Sequence, residues 1–131
     1  MLHDTILLPI DYAAHRADAP KTACELWSYA LPTYGDVTDI ARPAVIILPG
    51  GAYAWLSDRE GEPVASAFLA AGISAFVLRY TVAGNGSFPC ALIEAFEAVQ
   101  YELISALTTT FLTFAARHCS RKASISLSSE L

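Results

Sequence analysis

Ala44-Val45-Ile46-Ile47-Leu48 is an unbroken apolar run with β-branched residues at its centre. A strand without a polar face is one buried on both sides, as in a parallel sheet covered by helices. Pro49-Gly50-Gly51 ends the run. Ser57-Asp58-Arg59-Glu60 then fits a capping box, with Ser57 as N-cap and Glu60 as the third helical residue. The helix that follows sets Val64, Ala67, Phe68 and Ala71 on one face, and Gly72 falls where a C-terminal cap belongs. Ile73 to Val82 reads as a second buried strand. Strand, helix, strand is a βαβ unit, which is right-handed almost without exception. Ala83-Gly84-Asn85-Gly86-Ser87 predicts a loop, and Pro89 suits the first turn of a second helix. In that helix Leu92, Phe96, Val99 and Leu103 form the apolar stripe, with Glu94, Glu97 and Glu102 toward water.

Before this unit come two weaker strand patterns. One, in residues 3–10, centres on Ile6-Leu7-Leu8 and closes at Pro9; the other, in residues 22–31, carries Trp27 and Tyr29. A polar loop over 11–20 separates them, and Pro32, Gly35, Asp36 and Asp39 mark a turn region after the second. From about Ser105 the character changes. Leu103, Leu107, Phe111 and Phe114 would extend the helix, whereas Ser124-Ile125-Ser126-Leu127-Ser128 alternates like a strand, so the local signals disagree. The expected fold class is α/β: an incomplete sheet with two leading strands, a βαβ unit and a second helix over residues 1–104, then an atypical tail over 105–131.

With 131 residues the chain suffices for one domain with a core, and its low charged fraction marks it as globular. A formal net charge of −5 argues against nucleic acid or an anionic membrane as partner. The small basic cluster at Arg117, Arg121 and Lys122 fits a solvated terminus. Three cysteines, Cys24, Cys90 and Cys119, form no disulfide framework, and no C-x-x-C or H-x-x-x-H spacing offers a metal site. Met1 to Tyr12 lacks the basic start of a secretory signal, and no apolar run approaches a membrane span. A cytoplasmic protein with structural thiols is expected.

The strand 44–48, the turn Pro49-Gly50-Gly51-Ala52-Tyr53 and the stretch Ser57 to Ala65 occur in the order, and with the residue types, of a hydrolase oxyanion loop. Phe76-Val77-Leu78-Arg79-Tyr80 and Phe88-Pro89 continue the match. Residues 42–103 thus resemble the N-terminal half of the α/β-hydrolase superfamily, in its small bacterial esterase and lipase branch of acetyl-esterase and acetyl-xylan-esterase-like proteins. The resemblance implies a substrate that is a small ester and a mechanism without metal or organic cofactor. It implies an oxyanion hole at Gly50, Gly51 and Ala52, where the N–H groups of Gly51 and Ala52 donate and Gly50 permits the turn. The family's H-G-G-G is P-G-G-A here, and a position needing φ > 0 would disfavour Ala52. Tyr53 and Trp55 would line an acyl pocket, or simply pack under the loop.

No glycine follows Gly86, so the family's G-x-S-x-G nucleophile turn, which an Asp or Glu and then a His should follow, cannot occur downstream in these 131 residues; the last Asp is Asp58, and no such turn precedes the only late His, His118. A catalytic serine, acid and histidine are therefore expected to be absent, and the chain is expected to be inactive alone. The family core needs roughly twice this length. A frameshift or premature stop near residue 104 is the expected origin of the tail, and an open sheet edge is expected to promote self-association. Other constellations have plainer readings. Gly84-Asn85-Gly86 lacks the third glycine of a dinucleotide fingerprint, because position 89 is Pro89, and reads as a flexible loop. His118 and Cys119 are adjacent and cannot face each other on a helix. Arg79 is expected to be paired at a strand end, and Ser57 to be a cap. The competing function is a non-catalytic α/β binding or interaction module completed by a partner chain; a nucleotide-binding half-domain rests on the βαβ order alone.

Overall fold

A computed structural model describes residues 2–31 and 42–102. The expected turn at Pro32, Gly35, Asp36 and Asp39, the competing patterns after Leu103, and His118 and Cys119 lie outside the described residues. Four strands form one sheet: β1 (Leu2–Leu7), β2 (Glu25–Ala30), β3 (Ala44–Ile47) and β4 (Ser74–Arg79). Helix α1 (Glu62–Ala70) joins β3 to β4, and helix α2 occupies 90–102. The sheet order is β1-β2-β4-β3. β1 pairs antiparallel with β2 and β2 antiparallel with β4, while β3 runs parallel to β4 in the register Ala44↔Ser74 to Ile47↔Val77. The sheet and the candidate site lie in the unit Met1–Val99.

Strand alternation sorts the core into two layers. On one face Leu8, Cys24, Leu26, Phe76 and Leu78 pack with Ala98 of α2. On the other, Tyr29, Ala75 and Val77 pack with Ala65, Phe68 and Leu69 of α1. β4 is covered on both faces: Ala75, Val77 and Leu78 are fully buried. β3, expected to be wholly buried, is the edge strand among the described residues. Its Ala44 is exposed, Val45 to Ile47 are half-buried, and Leu48 is 51% exposed.

The expected capping box is not formed. Ser57 makes no side-chain cap, residues Asp58–Glu60 form a 3₁₀ turn, and α1 starts at Glu62 with Pro63 in its first turn. The Glu60 carboxylate is engaged instead by the Gly50 N–H. The far end of α1 matches expectation. Gly72 has φ +80°, its N–H donates to the Leu69 carbonyl, and the Ile73 N–H donates to that of Phe68. These two bonds make a Schellman stop, which needs a left-handed residue.

Both helices are rotated away from the predicted stripes. In α1, Ala65, Phe68 and Leu69 face the sheet while Ala67 and Ala71 are exposed. An alanine-rich helix has a weak apolar moment, so its larger side chains decide which face turns inward. In α2 the reversal is complete. Leu92, Phe96 and Val99 are 49%, 66% and 47% exposed, whereas Cys90, Ile93, Glu94 and Ala98 are buried. Glu94, expected toward water, is 0% exposed because its hydrogen-bond partners lie on the inner side.

Candidate functional site

β3 delivers the chain to a turn held from three sides. Pro49 is fully buried, and its carbonyl accepts a hydrogen bond from the Tyr80 hydroxyl. The Gly50 N–H donates to Glu60 Oε2 at 2.7 Å, and the Gly50 carbonyl accepts the Ser57 N–H at 2.8 Å. The Tyr53 carbonyl accepts the Ala83 N–H at 2.8 Å, tying the turn to the loop after β4.

Between these anchors the backbone is strained. Gly51 has φ +141°, Ala52 +52° and Tyr53 +60°. A Cβ at position 51 would lie 2.0 Å from the Trp55 carbonyl oxygen, so only glycine fits. Ala52 and Tyr53 are L-residues in left-handed backbone, at about 1–2 kcal/mol each. The Gly51 carbonyl accepts the N–H groups of Ala54 and Trp55. Among the described residues the N–H groups of Gly51, Ala52 and Tyr53 have no hydrogen-bond partner. Of the three residues expected to build an oxyanion hole, Gly50 therefore has its donor engaged, and Gly51 and Ala52 keep theirs.

Beside the turn lies a cavity of about 570 Å³, walled by Tyr53, Thr81, Val82, Ala83, Phe88 and Ala91. Tyr53 lines this cavity, its ring edge-on to Tyr80 at 5.9 Å. Trp55 does not line this cavity. It is 62% exposed, and its Cδ1 would lie 3.2 Å from a Cβ at position 51, so it shields the turn from outside. The loop Gly84-Asn85-Gly86 is tethered rather than free. Asn85 Nδ2 donates to Thr22 Oγ1 at 2.6 Å, the Thr22 N–H donates to Asn85 Oδ1 at 2.9 Å, and the Lys21 N–H donates to the Asn85 carbonyl.

Behind the cavity wall sits a polar cluster around Glu94, which the helical pattern places toward water. Glu94 accepts hydrogen bonds from the Thr81 N–H (2.6 Å), the Thr81 hydroxyl and the Tyr12 hydroxyl (2.7 Å). Burial, then the hydrogen bond to Glu94, pushes the Tyr12 phenol well above its ordinary range. No sequence signal finds this cluster, since its members come from a loop, a strand end and a helix. Cys24 and Cys90 are buried free thiols, and burial pushes Cys24 up to about 12. Arg79 ends β4, pairs with Asp58 at 3.2 Å and lies over the Trp27 ring, as expected of a strand-end cation. Among the described residues no three His, Cys, Asp or Glu side chains are grouped to hold a metal, and no helix is long and apolar enough to cross a membrane.

Neither a protein-family model nor a curated protein matches the chain. Solved structures do. An α/β hydrolase enzyme from a Medee basin deep-sea metagenome library is 35% identical, with a TM-score of 0.62 over 77% of this chain and 38% of its own. An acetyl ester-xyloside bifunctional hydrolase from Caldicellulosiruptor lactoaceticus is 28% identical, with a TM-score of 0.59 over 75% and 35%. A carboxylesterase from Lactobacillus plantarum is 25% identical, with a TM-score of 0.64 over 82% and 37%. The chain thus spans well under half the length of the solved structures it matches.

Proposed function

We propose that this member of the α/β-hydrolase superfamily carries the carbonyl-binding turn of a carboxylic-ester hydrolase and, within its 131 residues, none of the groups that attack a bound ester. The observation that carries the reading is the strained Gly51–Ala52 turn, whose N–H groups have no partner among the described residues. Two fixed N–H donors lower the energy of a carbonyl oxygen as it gains negative charge, and they need no reorganisation to do so. The Glu60 carboxylate and the Tyr80 hydroxyl hold the residues just before the donors, so the turn is set before a ligand arrives. Gly50 anchors the turn through its engaged N–H and carbonyl, and Gly51 carries the left-handed backbone that the turn needs. No cofactor is required.

Binding without a nucleophile polarises a carbonyl and stops there. The chain alone accordingly binds a small ester and does not turn it over. A fluorophosphonate probe is expected to label no serine. Stoichiometric labelling of one serine would overturn the claim. The buried free thiols Cys24 and Cys90 suit a reducing, cytoplasmic setting.

A second reading, a binding module completed by another chain, is favoured by one observation: β3 pairs on one side only among the described residues. Its signature is a melting temperature that rises with protein concentration.

A further inference from the structure

Two separate packing demands fix the residues of the loop Gly84-Asn85-Gly86. Gly86 lies close to both Thr81 and Pro20: a Cβ there would be 2.8 Å from Thr81 Cγ2 and 3.2 Å from Pro20 Cβ, so a side chain has no room. Asn85 answers a different demand, because its amide fills both halves of a clamp. Its Oδ1 accepts the Thr22 N–H at 2.9 Å, and its Nδ2 donates to Thr22 Oγ1 at 2.6 Å. Packing thus sets an asparagine directly before a glycine. In that dipeptide the main-chain nitrogen reaches the side-chain amide with least hindrance, since glycine puts no Cβ in the way. The folded chain holds the reacting atoms off this path. The Val82 carbonyl accepts the N–H groups of Asn85 (2.9 Å) and Gly86 (3.2 Å), and the Lys21 N–H donates to the Asn85 carbonyl. Asn85 and Gly86 are only half-buried, so these bonds can open locally while the sheet stays intact.

We propose that Asn85 is a covalent modification site, deamidated through attack by the Gly86 nitrogen, and that the Thr22 clamp sets the rate. A bond forms between Gly86 N and Asn85 Cγ while the Cγ–Nδ2 bond breaks. The proton lost from Gly86 N is balanced by one taken up by Nδ2, which departs as ammonia. Water, the only co-reactant, then opens the succinimide ring. Cleavage of the Cγ–N bond leaves an aspartate; cleavage at the main-chain carbonyl leaves an isoaspartate. The isoaspartate lengthens the main chain by one carbon, so the bonds to Val82 and Lys21 no longer all form. The loop that lines the cavity through Gly86, Ser87 and Phe88 loses its anchor in consequence. None of this depends on the carbonyl-binding reading of the turn.

Peptide mass mapping of the full chain, kept in mildly alkaline buffer, follows loss of the Asn85 amide with time. Thr22→Val removes the Oγ1 acceptor and keeps the main-chain donor, whereas Thr22→Ser keeps the hydroxyl. The native chain is expected to convert at least tenfold faster in denaturant than when folded. Folded Thr22→Val is expected to convert several-fold faster than the folded native chain, and Thr22→Ser at the native rate. All three are expected to convert equally fast in denaturant. A product mixture of aspartate and isoaspartate marks the succinimide route; aspartate alone marks direct hydrolysis and overturns the proposal. Equal rates for folded Thr22→Val and the folded native chain overturn it too. Should Thr22→Val not fold, the native chain decides: a tenfold or greater ratio between denatured and folded rates sustains the proposal, and a smaller one overturns it.

Discussion

Gly51 and Ala52 are neighbours in one turn, yet substitution is expected to act in opposite directions on them. A Cβ at 51 meets the Trp55 carbonyl at 2.0 Å, which nothing but backbone movement relieves. Gly51→Ala should therefore cost several kcal/mol, on the order of a major packing defect, read as a loss of the denaturation midpoint. Ala52 already pays for left-handed backbone at φ 52°. Ala52→Gly removes that strain and should stabilise by up to about 1 kcal/mol, net of the entropy glycine adds to the unfolded chain. No change or a loss would mean the Ala52 methyl makes contacts that outweigh the strain. Cys24 sets a pH dependence at the same scale. Burial, then the charges of Glu94 and Glu25, raises its thiol from 9.0 to about 12, so the folded chain holds the proton longer than the unfolded one. That contribution is fully present below pH 9 and is lost as pH rises toward 12. Tyr12, also raised, acts in the same direction. Melting temperature should fall through that window, and Cys24→Ala should make the fall shallower.

At the level of elements, α2 is held by a polar contact where an apolar stripe was expected. Glu94→Leu would keep the bulk but strand the buried Thr81 N–H and lose the Tyr12 tie. An unsatisfied buried donor costs about 1–3 kcal/mol, so chemical denaturation should show a loss of that size. Tyr12→Phe removes one bond of the set and should cost about 1 kcal/mol, less than Glu94→Leu. A neutral Glu94→Leu would mean that water reaches Thr81. The helix stop at Gly72 behaves differently. Open space surrounds the position of a Cβ there, so Gly72→Ala meets only the φ +80° penalty, about 1 kcal/mol. The helix-stop glycine could be read from the chain because it answers a local backbone demand, whereas the turn demand expected of Gly50 falls on Gly51. Helix rotation could not be read, because α1 and α2 turn to meet residues of distant strands and loops.

For the whole molecule, sheet order decides what is buried. β4 lies between β2 and β3 and carries core residues on both faces, while β3 stands at the edge of the described sheet. Leu78→Ala should cost about 2–5 kcal/mol, whereas Phe96→Ser, at a position 66% exposed, should barely shift the melting temperature. A core-sized loss at Phe96 would mean that another surface covers α2. A wholly apolar strand such as β3, paired on one side among the described residues, also promotes pairing between chains. Sedimentation is expected to show association that grows with protein concentration; a monomer at all concentrations would oppose this.

The chain by itself determined the elements that obey a local rule. The alternation in residues 25–30, the apolar runs at 44–47 and 74–79, the βαβ order and the glycine at 72 follow from side-chain period and backbone sterics. The resemblance of the turn to a hydrolase oxyanion loop was legible for the same reason, since residue type and spacing carry it. What only the tertiary structure decided are the pairings between distant positions. Glu60 leaves its expected capping role to bind Gly50, Tyr53 joins a cavity while Trp55 covers the turn, and Glu94 turns inward. Two of these are settled by a partner that helical or strand periodicity does not encode: Gly50 ten residues before Glu60, and Tyr12 eighty-two residues before Glu94. A hydrogen bond to such a partner outweighs the modest apolar preference that a sequence pattern expresses.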